Sequence, residues 1–152
     1  ITGISLSVIT TMIYPLFVRS VDPMLQIRAA EYAQAIMQDI LSKSYDENAG
    51  EGGQPICSSC SISGTDGSEN SRADFNDVDD YNAFCGSDTD IQNILGTPLS
   101  AEYTGYSFRS CIEWGGADFD GQPDDVAKRI TVTVKPPQPA TPVVISAYRG
   151  NY

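Results

Sequence analysis

A chain of 152 residues with 41% apolar content suits one domain around one ordinary core, with no room for a catalytic domain plus a regulatory one. Twenty acids against nine bases give a formal charge of −11. That balance repels phosphate backbones and anionic lipid headgroups, and it argues against nucleic acid as a partner.

Residues 1–18 contain no charge and read ITGISLSVITTMIYPLFV. A membrane helix needs roughly 20 apolar residues, so this stretch reads as the downstream part of a longer apolar helix. A buried core helix is the alternative. Without an initiator Met or a basic leading segment it is not a signal peptide as it stands. Asp22 offers a side chain that caps backbone N–H groups, and Pro23 suits a first helical position. Pro15 and Pro23 are each expected to kink or interrupt the rod. From Pro23 to about Ser44, Leu25, Ala29, Tyr32, Ala33, Ile36 and Ile40 share one stripe of a helix, while Glu31, Gln34 and Gln38 lie opposite.

Charge divides the chain into three parts. Residues 1–44 balance three acids with three bases, and residues 104–152 balance five with five. All of the excess therefore falls in residues 45–103, where twelve acids face the single base Arg72. Such a block is expected to be a solvated loop or to hold cations. It is rich in Gly, Ser, Asp and Asn, with a helical turn or two expected near Thr89–Leu95. A loop this long needs something to fix it. Cys57, Cys60, Cys85 and Cys111 are the candidates. Four thiols could bind zinc, but only Cys57 and Cys60 have the close spacing of half a site, and the chain has no histidine. Disulfides are the preferred reading and place the protein outside the reducing cytoplasm. Three pairings are open; the shortest loops favour Cys57–Cys60 with Cys85–Cys111.

The last third reads as antiparallel sheet. Apolar side chains alternate over residues 106–114 and again over 129–135, until Pro136-Pro137 stops the pattern, and residues 142–148 supply a third strand. Cys111 falls out of phase with the core set and is expected to tie the acidic loop across the sheet's outer face. The whole is an α+β fold in which a long helix and a terminal antiparallel sheet bury each other's apolar faces, with a long disulfide-tied acidic loop between them. Its divisions are an apolar helix remainder over 1–21 and a globular domain over 22–152. That domain comprises an amphipathic helix (22–44), the acidic region (45–103) and the sheet (104–152).

This arrangement resembles the type IV pilins. More narrowly, Arg19-Ser-Val-Asp-Pro23, Gln26-Ile-Arg-Ala-Ala-Glu31, Ala73-Asp-Phe-Asn-Asp-Val-Asp-Asp-Tyr81, Ala127-Lys-Arg-Ile-Thr-Val-Thr-Val134 and Ser146-Ala-Tyr-Arg-Gly-Asn-Tyr152 resemble the minor pilins called MSHA biogenesis protein D, of the mannose-sensitive haemagglutinin pilus. Members begin with a prepilin peptidase motif and carry a methylated mature N-terminus, and neither feature is present in this chain. The resemblance implies a minor pilin that helps initiate or cap a type IV pilus. Its partners would be other minor pilins, the major pilin, and the inner membrane through a full-length N-terminal helix. The implied location is the inner membrane with a periplasmic domain before assembly, and the extracellular pilus afterward. An adhesive tip subunit that binds a surface or glycan is the alternative.

Among the acids, Asp118, Asp120, Asp124 and Asp125 are the candidate metal ligands. Asp-x-Asp-Gly sets two carboxylates around a turn, and calcium takes six to eight oxygens from a flexible loop. The competing reading is an ordinary acidic hairpin loop. Asp74, Asp77, Asp79 and Asp80 form a second cluster that needs hydrogen bonds, a cation or a partner surface to relieve its repulsion. No catalytic residue is assigned and no enzyme is expected: there is no histidine base, no phosphate-binding glycine loop and no G-x-S-x-G serine. No cofactor is expected beyond a calcium ion at those aspartates.

Overall fold

The computed structural model describes residues 2–50, 55–67 and 69–152, with the side chains of the first helix described from Asp22 onward. Helix α1 spans Thr2–Leu41 as one continuous element. It runs through Pro15 and Pro23 without the interruption expected there. Asp22 consequently sits inside the helix, not at a cap, and its Oδ1 is buried without a hydrogen-bond partner.

From Leu25 onward, α1 lays its stripe on a sheet. Ala29, Tyr32, Ala33, Ile36, Met37 and Ile40 are buried, whereas Glu31, Gln34 and Gln38 face solvent. The sheet has four antiparallel strands in sequence order: β1 (Thr89–Asp90), β2 (Ser107–Trp114), β3 (Ala127–Lys135) and β4 (Val143–Gly150). Register aligns Ile112 with Ile130 and Ser110 with Val132, and Val132 in turn with Ile145. Phe108, Ile112, Ile130, Val132 and Val134 therefore share one face with the helix stripe, while Arg109, Cys111 and Glu113 take the other. Two-residue periodicity and 3.6-residue periodicity thus meet in a single core. Two hydrogen bonds pin the helix where this packing begins: Tyr106 Oη donates to the Leu25 carbonyl at 3.2 Å and Gln26 Nε2 to Thr141 Oγ1 at 2.7 Å.

Three expectations are corrected here. Among the described residues no helix is long and apolar enough to cross a membrane, so neither a membrane anchor nor an inner-membrane location is carried forward. The physical reason lies in the side chains that are described: past Asp22 the helix carries Arg28, Glu31 and Asp39 around a stripe already committed to the sheet. The side chains of the apolar segment 1–18 lie outside the described residues. Among its described residues, the acidic block is not solvated loop throughout. It folds into 3₁₀ turns at Arg72–Asp74 and Asp79–Phe84, and Phe75, Val78 and Tyr81 enter the core beside the helix. In place of a helical turn near Thr89–Leu95 stands β1 followed by a tight turn closed by the Gly96 N–H on the Asn93 carbonyl.

Disulfides join Cys57 to Cys60 and Cys85 to Cys111. The second ties the end of the Asp79–Phe84 turn to the outer face of β2. In the chain-entropy picture a bridge spanning 26 residues is worth about 3.5 kcal/mol, against about 1.6 kcal/mol for one spanning 3. Replacing Cys111 by Ser is therefore expected to lower Tm clearly more than replacing Cys60 by Ser, as thermal denaturation of the two variants will show.

Candidate functional site

Charged groups are normally excluded from cores, yet Lys128 is fully buried, together with Asp46, Asp77, Asp79 and Asp80. Each reaches its place for a local reason. β3 alternates inward at Lys128, Ile130, Val132 and Val134, which puts Lys128 on the core face opposite Trp114 of β2. After α1 ends, Ser44 forms a parallel bridge with Asp77. That bridge brings Tyr45 and Asp46 alongside the turn that carries Asp79 and Asp80.

Three acceptors surround the Lys128 ammonium: Asp79 Oδ1 at 2.6 Å, the Tyr45 carbonyl at 2.7 Å and Asp46 Oδ2 at 3.3 Å. These satisfy its three N–H donors. The Tyr45 ring covers Nζ at 4.6 Å from its centroid and the Trp114 ring lies at 6.0 Å. Asp46 also accepts from the Ser61 N–H at 2.6 Å and the Asn48 N–H at 2.9 Å. Burial pushes its carboxyl up, but these hydrogen bonds and Lys128 together hold it below its ordinary value. At Asp79 burial wins over Lys128 and the carboxyl is raised. Asp77 caps the turn, with Oδ1 accepting from the Asp79 N–H at 3.0 Å and the Asp80 N–H at 3.3 Å. Burial, then the touching Asp79 carboxyl and the charges of Asp79 and Asp80, push it up to about 8. Asp80 Oδ2 accepts from the Asn76 N–H at 2.8 Å and the Asp77 N–H at 3.1 Å. Asp74, the outermost of this cluster, accepts from the Ser71 N–H and hydroxyl. The cluster is thus held by backbone donors and by a lysine.

A second buried pair fixes the other end of the acidic region. Arg72, its single base, bonds Asp39 of α1 through Nη2 at 2.8 Å and the Gln92 carbonyl through Nη1 at 2.9 Å. Tyr81 donates to the same Asp39 oxygen at 2.8 Å.

The four candidate calcium ligands are not brought together. Asp118 is engaged by Arg129 Nη1 at 2.9 Å and the Tyr148 hydroxyl at 2.7 Å. Asp120, Asp124 and Asp125 are exposed. Gly121, at φ 72°, makes the turn after Asp120, and a Cβ at Gly116 would collide with the Pro123 carbonyl oxygen. The segment is a folded loop between β2 and β3. Among the described residues, convergent donors occur at Asp46 with Cys57 and Cys60, and at Glu47, Asp66 and Glu69. In the first set both thiols are consumed by their disulfide. In the second, Glu69 is pushed up to about 7 by burial and a hydrogen bond with Asp80. Three such carboxylates could accept a cation, but nothing in the donor set selects calcium.

Sequence reasoning missed Lys128, Asp46 and the Arg72–Asp39 pair. For Lys128 a signal was present: the inward alternation of β3 extends one step upstream of Ile130 and lands on it.

Comparison with protein-family models, with curated proteins and with solved structures finds no match. No relative lends support to a methylated N-terminus or to membrane attachment, and neither is carried forward.

Two measurements probe the cluster. Lys128→Met leaves Asp46 and Asp79 facing each other without their cation, and unfolding in denaturant should show a loss of about 3–5 kcal/mol. The raised Asp77 carboxyl binds its proton more tightly folded than unfolded. Its contribution is complete below the ordinary value of 3.8 and is lost as pH climbs through about 8. Tm should therefore fall over that range, and Asp77→Asn, which keeps the Oδ1 acceptor and cannot ionise, should flatten the decline.

Proposed function

We propose that this domain is a type IV minor pilin of the MSHA biogenesis protein D kind, taking part in initiation or capping of the filament by assembling with other minor pilins and the major pilin. One observation carries the reading. Helix α1 commits one stripe to its own sheet from Leu25 onward and leaves Met24 and Ile27, 64% and 59% exposed, where the packed part begins. Its backbone continues upstream to Thr2 through a stretch whose sequence is uncharged up to Val18. Large apolar side chains held outward on a rigid helix are what a neighbouring subunit buries, since the driving force of association is apolar area removed from water. The sequence stretches that resemble the family support the same reading.

Calorimetric titration of this domain against each of the other minor pilin domains and the major pilin domain of the same system tests it. At least one is expected to bind in the micromolar range, and the double variant Met24→Asp, Ile27→Asp should lose that binding at unchanged Tm. If no pilin domain binds and a strain lacking the gene makes normal pili, the proposal fails. Binding to a glycan array without any pilin partner would replace it with the adhesive alternative.

A further inference from the structure

We propose that the Lys128 amine and the Asp79 carboxyl condense within the folded domain to form an amide, an internal covalent crosslink between strand β3 and the Asp79–Phe84 turn. The reacting groups are in contact, with Lys128 Nζ 2.6 Å from Asp79 Oδ1, and both side chains are sealed from solvent, at 0% and 7% exposure. Groups held at contact by a folded chain react as if at an effective concentration of about 10⁵ M or more. Hydrolysis needs water at the bond, and the Tyr45 and Trp114 rings cover the amine.

Chemistry requires an electrophilic carboxyl and a route for protons. Burial pushes the Asp79 carboxyl up against the opposing pull of Lys128, which favours the protonated, electrophilic form. Asp46 Oδ2 lies 3.3 Å from the same amine. The Lys128 ammonium first passes a proton to the touching Asp79 carboxylate, which leaves a neutral amine beside a carboxylic acid. As Nζ then adds to the Asp79 Cγ, Asp46 takes a second proton from nitrogen and gives it to the departing hydroxyl, which leaves as water. The Nζ–Cγ bond forms, the Cγ–O bond to the leaving hydroxyl breaks, and an ammonium–carboxylate pair becomes a neutral amide plus one water. No oxidant, nucleotide or second enzyme enters the balance.

The surroundings also suit the product. A secondary amide keeps one N–H, and the Tyr45 carbonyl at 2.7 Å is in place to accept it. Asp46 retains the N–H donors of Ser61 and Asn48, so its charge is not left unsolvated. Condensation removes two of the buried charges whose desolvation is costly.

Intact-mass measurement of the full chain, reduced and denatured, tests the proposal. The protein is expected to be lighter than its sequence with free thiols by the mass of one water. Proteolysis should yield a branched peptide joining the segments that contain Asp79 and Lys128. Lys128→Arg and Asp79→Ala should each return the full mass. A protein at its full sequence mass overturns the proposal. So does a water deficit that maps to Asp66-Gly67 or Asp120-Gly121, where an aspartate can cyclise on its own backbone. Should either variant fail to fold, the mass and branched peptide of the unaltered protein decide alone.

Discussion

Burying an ammonium ion is the constraint from which the rest of this domain follows. Removing a lysine head group from water costs several kcal/mol unless oppositely charged and polar groups replace its hydration. Lys128 obtains them from two places far apart in the chain: Tyr45 and Asp46, just past the end of α1, and Asp79, in the turn that precedes β1. Helix end, acidic region and sheet must therefore meet at one point. The Ser44–Asp77 bridge and the capped turn at Asp77 are the backbone solution that allows it.

Charge distribution along the sequence takes on a physical meaning in this light. Residues 1–44 and residues 104–152 are each neutral taken alone, and the region between them holds the whole excess of negative charge. In the fold, each neutral part lends an ionic partner to that region. The sheet gives Lys128 to Asp46 and Asp79, and Lys135 to Asp88; the helix gives Asp39 to Arg72. The buried pairs fix geometry, while the exposed contact at Asp88 is screened and adds little. Lysine and backbone N–H groups thus stand where a bound metal would otherwise have been needed to hold the aspartates together.

Much of the fold was legible because periodicity is a local property. The stripe from Ala29 to Ile40 and the alternation through Phe108, Ile112, Ile130, Val132 and Val134 can each be read without knowing what they face. Residues 45–103 were not legible in the same way. Their order comes from single side chains reaching across long sequence distances, such as Arg72 to Asp39 and Lys128 to Asp79, and no short window contains both partners. Composition was misleading for a related reason. Gly, Ser, Asp and Asn are frequent in loops because their side chains bond backbone groups, and Asp77 and Asp80 use that capacity to build a buried turn. At Asp118–Asp125 the limit is the converse one: spacing that allows convergence does not enforce it, and Arg129 and Tyr148 hold Asp118.

A base fixed in this way bears on how the helix can work as a contact surface. Association loses less entropy when the contacting side chains are already held in place. The direction of α1 along the sheet is set by the Tyr106 and Gln26 hydrogen bonds at the upstream end of its packed part and by Asp39 and the Lys128 cluster at the downstream end. With both ends pinned, the stripe cannot roll on the sheet without breaking a buried ion pair. Met24 and Ile27 are then presented at a fixed angle to the sheet. A partner of the proposed kind that buried them would lose little entropy in ordering the domain, and one shaped for a different angle would meet the stiffness of the same base.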